Sequence, residues 1–257
     1  MSPEQSKKEL MAMYQAMKEA DAAYDAKQKS RSGMVGGNGQ LFHDAVVSGK
    51  TICGPVIASA IEKALKMGES NACMKRIVAA PTAGACGVLP AVLVNYQKEK
   101  GTADEQIVRA LYTAAGIGQV VAARAYIAGA SGGCQAEIGT ASAMAAGALT
   151  ALGGGTPPQI THAAAMALKN LLGLVCDPVG GLVEVPCVKR NVIGSVNALS
   201  AADMALAGIS SRIPPDQVID AMREVGDQMH PTLRETGQGG LANTPAAREW
   251  CAAQEEE

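Results

Sequence analysis

The chain has 257 residues, a net charge of −2 and 48% apolar residues, enough for a sizeable core in one large domain or two small ones. The near-neutral charge, with Lys and Arg scattered and no basic run interleaved with aromatics, gives no broad attraction to nucleic acid or to an anionic membrane. With one Trp, five Tyr and one Phe, the core must be built from Ala, Val, Leu, Ile and Met. Glycine allows close approach, and this composition favours packed helices over a β-sandwich.

The start, Met1-Ser2-Pro3-Glu4-Gln5-Ser6-Lys7-Lys8, is polar and has no apolar stretch behind it, so no signal peptide is expected. Residues 138–168 carry no charge, but Gly153-Gly154-Gly155-Thr156-Pro157-Pro158 divides them into pieces too short to cross a bilayer. A cytosolic protein is expected, and there thiols stay reduced. Seven cysteines in that setting point to ligands or core residues rather than disulfides, and the odd count agrees.

Taken in order, residues 2–30 read as one amphipathic docking helix. Ser2 and Gln5 have capping-box spacing, and Pro3 suits the first turn. Leu10, Met13, Tyr14 and Met17 fall on one face. Ser32-Gly33-Met34-Val35-Gly36-Gly37-Asn38-Gly39 reads as a flexible loop whose backbone N–H groups can hold an anion such as a carboxylate. A plain linker and a substrate loop both fit it, and it lacks the strand and Lys-Ser/Thr context of a nucleotide-phosphate loop. A helix is predicted over 52–67.

In Ala79-Ala80-Pro81-Thr82-Ala83-Gly84-Ala85-Cys86-Gly87-Val88-Leu89-Pro90, Pro81 and Gly84 mark a turn, and a buried helix follows over 88–96. A loop feeding a helix N-terminus is an anion site by geometry. Cys86, a lone thiol in an apolar run, reads as core packing. Further helices are predicted over 104–123, 138–152, 159–172 and 191–207. Another runs from Pro215 to about 226, and a last one starts at Thr244-Pro245 and ends in the solvated acids 255–257. The histidines His43 and His162 read as ordinary polar or core residues. No repeat, low-complexity block or strand alternation is present. The fold class is all-α, a single domain of about ten helices over 1–257.

Three cysteines stand apart. Cys134 lies in Gly132-Gly133-Cys134-Gln135-Ala136-Glu137. Cys176 and Cys187 bound Cys176-Asp177-Pro178-Val179-Gly180-Gly181-Leu182-Val183-Glu184-Val185-Pro186-Cys187. Thiols on Gly- and Pro-punctuated backbone, where helical segments break, suit a soft metal centre. Cys134 precedes Cys176 by 42 positions and Cys187 follows 11 later, which is neither ferredoxin spacing nor a zinc ribbon. Three thiolates on a four-iron cube leave one iron open to act as a Lewis acid, whereas clusters that only transfer electrons normally fill all four positions.

The blocks 79–92, 131–146 and 176–191 resemble the signature blocks of bacterial iron–sulfur L-serine dehydratases, and the resemblance covers residues 33–242. It implies a [4Fe-4S] cluster on residues matching Cys134, Cys176 and Cys187, with L-serine as substrate. Single-chain members carry an extra N-terminal domain with a Ser-Ser-His-Thr motif. Nothing like it precedes Ser32, so the chain looks like the alpha subunit of the two-chain type, dependent on a beta subunit. Some members end in a cysteine that occupies the open iron; here Cys251 sits six residues from the end, and the role is not carried to it.

Elimination of water from serine needs a base for the α-proton. Lys189 and Glu137 flank the ligand blocks and are the candidates. Each also has a structural reading, Lys189-Arg190 as a helix cap or a counter-charge to a thiolate-bound cluster and Glu137 as a loop anchor. The base can equally come from the beta subunit. Ser32, Thr82 and Ser131 are candidate substrate contacts. A hydro-lyase acting on another hydroxy acid, and a redox or structural cluster subunit, remain alternatives.

Overall fold

A computed structural model describes residues 1–255. The expected end of the acidic tail, 256–257, lies outside the described residues. Among those described there are eleven α-helices and no strand, so the all-α expectation holds. No helix among them is long and apolar enough to cross a membrane.

The first helix, α1 (Pro3–Ala22), starts as its sequence dictates: Ser2 Oγ accepts the Gln5 N–H at 3.2 Å and Pro3 opens the first turn. It stops well short of residue 30. Asp25 Oδ1 takes the Lys27 N–H at 2.9 Å, a local bond that competes with helix continuation. Tyr14 is fully buried and donates to Gln97 Oε1 at 2.7 Å, while Gln15 and Lys18 meet Asp104 at 2.6 and 2.8 Å. The helix is shorter than expected, and of the predicted stripe Tyr14 and Met17 are buried while Met13 is 52% exposed.

A helix the sequence reading missed, α2 (Asn38–Val47), follows the glycine loop. Its polar start hid it. The next, α3 (Pro55–Ala72), begins at Pro55 rather than Ile52, because Gly54 caps it and Pro55 supplies a first turn that needs no N–H partner. Then come α4 (Val88–Lys100) and α5 (Asp104–Arg124), close to expectation. A single helical turn, α6 (Gly129–Gly132), leads through Cys134 into one wide π turn (Gln135–Gly139).

The centre of the molecule is α7 (Thr140–Leu152). Residues 140–150 are all buried, and α4 and α5 pack against it together with α8 (Pro157–Lys169) and α9 (Cys187–Leu206). A helix apolar all round belongs in the middle. Six of its thirteen residues are Ala, with one Gly and one Ser, so neighbours come close. A Cβ at Gly147 would strike Ile117 of α5, and one at Gly194 would lie 2.9 Å from Ile138 and Val88. The chain closes with α10 (Pro215–Gln228) and α11 (Pro245–Glu255).

Candidate functional site

Three irregular segments meet beside the buried end of this core: the turn around Pro81–Gly87, the α6–π-turn corner, and the loop 176–186 that feeds α9. Cys134 and Cys176 are 3% and 4% exposed, and Cys187, half-buried, is the first residue of α9. The structure brings the three thiols into one group, near enough that each of Cys134 and Cys187 acts electrostatically on Cys176, and Cys187 on Cys134. Burial pushes the Cys134 and Cys187 thiols up to about 12, and Cys176 higher still, with Glu137 adding to all three shifts. All seven cysteines are free thiols.

Each ligand candidate is fixed by backbone bonds. Cys176 donates its N–H to Leu233 O at 2.8 Å and accepts the Glu235 N–H at 2.7 Å, which pins the loop to the segment after α10. Gln135 donates its N–H to Leu174 O at 2.9 Å, tying the Cys134 corner to the approach of Cys176. Asn191, buried on α9, joins the other pair of segments. Its Oδ1 accepts the Gly87 N–H at 2.8 Å, and its Nδ2 donates to Gly84 O at 2.8 Å and Cys187 O at 3.0 Å. In the loop expected to offer an anion site, the Gly87 amide is therefore already engaged. Cys86 is buried, with its thiol directed at Met67 O, as a packed core residue.

Positive charge reaches the thiols from Arg190. Its guanidinium favours the thiolate forms of Cys134 and Cys187 and so opposes the upward push of burial. It donates to Val175 O at 2.6 Å and pairs with buried Asp177 at 2.8 Å. Asp177 Oδ1 makes no aligned hydrogen bond, so this is a charge contact; its Oδ2 accepts the Leu241 N–H at 2.8 Å.

Glu137 sits on the π turn, a backbone defect often found at functional sites. Thr82 Oγ1 donates to Glu137 Oε1 at 2.6 Å. Burial raises the Glu137 carboxyl above its ordinary range, Thr82 opposes this, and Glu235 adds to it. Two glycines make room for the group. A Cβ on Gly84 would lie 3.2 Å from both carboxylate oxygens, and one on Gly129 would lie 2.9 Å from Oε2 and 2.8 Å from Cys176 Sγ.

The remaining sequence candidates are distributed unevenly. Ser32 Oγ, with Ser30 Oγ, donates to Glu184 Oε2 in the loop between Cys176 and Cys187. Lys189 and Ser131 are exposed, and their side chains make no hydrogen bond among the described residues. A cavity of about 600 Å³ opens at the loop between Cys176 and Cys187; Arg31, Ser32, Glu184, Gly180, Trp250 and Cys251 line it, and Cys134, Cys176 and Cys187 do not. Cys251 on α11 lies over Gly180, 3.7 Å from where a Cβ would stand. Asp177 and Asn191 were not singled out from the sequence, although both stand in the block 176–191; Arg190 was, with Lys189, as a counter-charge.

The donor set fits a thiolate-ligated cluster: three sulfurs, a neighbouring guanidinium to offset their charge, and glycines that keep the space open. No three His, Cys, Asp or Glu side chains among the described residues are arranged to hold a single metal ion. A lone ion needs all donors within about 2.6 Å of one point, whereas a cube takes each cysteine at a different corner.

Comparison with known proteins identifies the family. The family described as "Serine dehydratase alpha chain" matches residues 1–242. The chain is 55% identical over 220 residues to the "Probable L-serine dehydratase, alpha chain" of Bacillus subtilis, covering 86% of this chain and 73% of that protein. It is 49% identical over 211 residues to the "L-serine dehydratase, alpha chain" of Peptoniphilus asaccharolyticus, covering 82% and 72%. With the "L-serine dehydratase" of Mycobacterium tuberculosis it shares 48% over 184 residues, 70% of this chain but 40% of that longer one. The chain belongs to the serine dehydratase alpha chain family.

Proposed function

We propose that this chain is the cluster-bearing subunit of a cytosolic L-serine dehydratase, which converts L-serine to pyruvate and ammonia. The observation that carries the proposal is the meeting of Cys134, Cys176 and Cys187 from separate segments beside a buried carboxyl. These three residues would hold a [4Fe-4S] cluster, which when bound supplies a Lewis acid through the iron left without a cysteine.

The chain's own residues account for the rest of the reaction. Glu137 takes the α-proton of serine. Its raised carboxyl is a better proton acceptor than an ordinary glutamate, and Thr82 holds it in one orientation. As the Cα–H bond breaks, its electron pair forms the Cα–Cβ double bond and the Cβ–O bond breaks; the departing hydroxide takes the proton now held by Glu137 and leaves as water. The aminoacrylate then tautomerises, and water hydrolyses the imine to pyruvate and ammonia. Arg190, oriented by Asp177, offsets the charge of the thiolates. Lys189, the other base considered, stands exposed and without a partner, so Glu137 is the better supported. Ser32 and Ser131 are assigned to the substrate side. The relatives' names speak of an alpha chain, and the longer relatives extend far beyond the matched region. Both support a second, beta chain that completes the substrate site.

The test is anaerobic reconstitution with iron and sulfide, alone and with the second chain. Broad visible absorbance and oxygen-sensitive pyruvate formation are expected, and Cys176→Ala should lose both. Full activity in metal-free protein would refute the mechanism.

A further inference from the structure

The glycine loop expected to be flexible is closed around an internal anion. Glu69, on α3, is 1% exposed. Its Oε1 accepts the N–H groups of Gly36 and Asn38 at 3.2 and 2.8 Å. Its Oε2 accepts the Gly39 N–H at 3.1 Å and the Tyr24 hydroxyl at 2.6 Å. Gly36 and Gly37, at φ of 130° and 86°, hold backbone that other residues rarely adopt. A Cβ on Gly36 would also strike Gln28 O. The anion that these amides hold is thus supplied by the protein itself.

The same loop reaches the candidate site. Ser30 and Ser32 donate to Glu184 Oε2, and Lys29 Nζ donates to Gly36 O. Glu184 O in turn accepts the Val188 N–H at 3.0 Å, in the first turn of α9 and next to Cys187. An unbroken run of bonds therefore joins Glu69 to the segment carrying two of the three thiols. Arg31 and Ser32, at the tip of the loop, line the 600 Å³ cavity.

We infer that Glu69 is a positioning residue that locks the loop 30–39 and so holds Ser32 against Glu184 at the edge of the L-serine site. The inference rests on the site reading proposed above. Glutamine has nearly the same shape, but its amide nitrogen would face donors where a carboxylate oxygen now accepts. A buried donor left without an acceptor is costly.

Glu69→Gln and Tyr24→Phe in the full chain provide the test. Hydrogen exchange of amides 30–39 should accelerate roughly ten- to hundredfold in Glu69→Gln, with α7 unchanged. Tyr24→Phe keeps all three N–H bonds and should give a smaller acceleration of the same amides; it keeps the inference testable if Glu69→Gln does not fold. With the second chain and reconstituted iron, the KM for L-serine should rise at least about tenfold in Glu69→Gln while kcat and iron content hold. Unchanged exchange in both variants, or a looser loop with an unchanged KM, overturns the inference. If the wild-type pair does not turn over L-serine at all, the functional reading fails, and loop exchange alone decides the locking.

Discussion

Gly129→Ala is the sharpest probe of the thiol group. The added Cβ would stand 2.8 Å from Cys176 Sγ and 2.9 Å from Glu137 Oε2. Comfortable non-bonded contact is about 3.5–4.0 Å, so the overlap with sulfur is roughly 0.7 Å or more. Gly129 does not use left-handed backbone, so the strain is one of space and not of dihedral angle. Both struck atoms end short side chains that can swing, which directs the damage to the site instead of the helices. Overpacking of this kind costs about 1–3 kcal/mol, a loss a domain of this size tolerates. Metal ligation is less forgiving, since ligand distances hold to within about 0.2 Å. The variant should fold and unfold cooperatively, with a modestly lower Tm, yet retain at least about tenfold less iron under limiting reconstitution. Gly84→Ala is the control. Its Cβ would press only on the Glu137 carboxyl, at 3.2 Å, so it should keep its iron and lose turnover. Iron and acid-labile sulfide per chain, read beside thermal unfolding, decide the matter. Full iron content in Gly129→Ala would refute the placement of Cys176 Sγ and the reasoning built on it.

Glu137→Gln should keep the cluster and lower kcat about 10²–10⁴-fold. Because burial raises this carboxyl above its ordinary value of 4.5, the native chain keeps a proton that the unfolded chain releases, and stability falls as pH rises through that window. Metal-free Glu137→Gln should therefore melt higher than wild type at neutral pH, with the difference shrinking below about pH 4.5; equal melting at both would contradict the burial argument. In the metal-free protein at pH 8, iodoacetamide should label exposed Cys53 quickly while Cys134 and Cys187 resist. At thiol values near 12 their thiolate fraction lies roughly a thousandfold below that of an unperturbed cysteine. Rapid labelling of all three positions, followed by peptide mass, would show the thiols to be open.

Helices were legible wherever a period or a cap spoke. Pro215 and Thr244-Pro245 announce their helix starts, whereas Pro55 was passed over and its helix was begun three residues early. What stayed hidden depends on partners remote in sequence. Nothing local says that Glu69 will be buried, because its four donors lie 30–45 positions away. Asn191 reads as an ordinary helical residue until Gly84 and Gly87, more than a hundred positions earlier, arrive beside it. Cys187 was placed in a loop ahead of a helix. Instead α9 starts on it, since Glu184 O and Pro186 O accept the first N–H groups of that turn. The three cysteines could be picked out by their glycine and proline surroundings, but spacing could not show that they meet.

The central helix α7 has a consequence for how firmly the thiols stand. Alanine has no rotamers to freeze, so a core lined by Ala141, Ala143, Ala145, Ala146 and Ala148 loses little side-chain entropy on closing. Neighbouring backbones are then registered almost directly on one another, with few long side chains between them to flex. The mount for the sulfur atoms behaves more like stacked rods than a cushion. If the proposed cluster is bound, an oxidant that stripped it would therefore leave an empty holder still in shape, ready to be refilled.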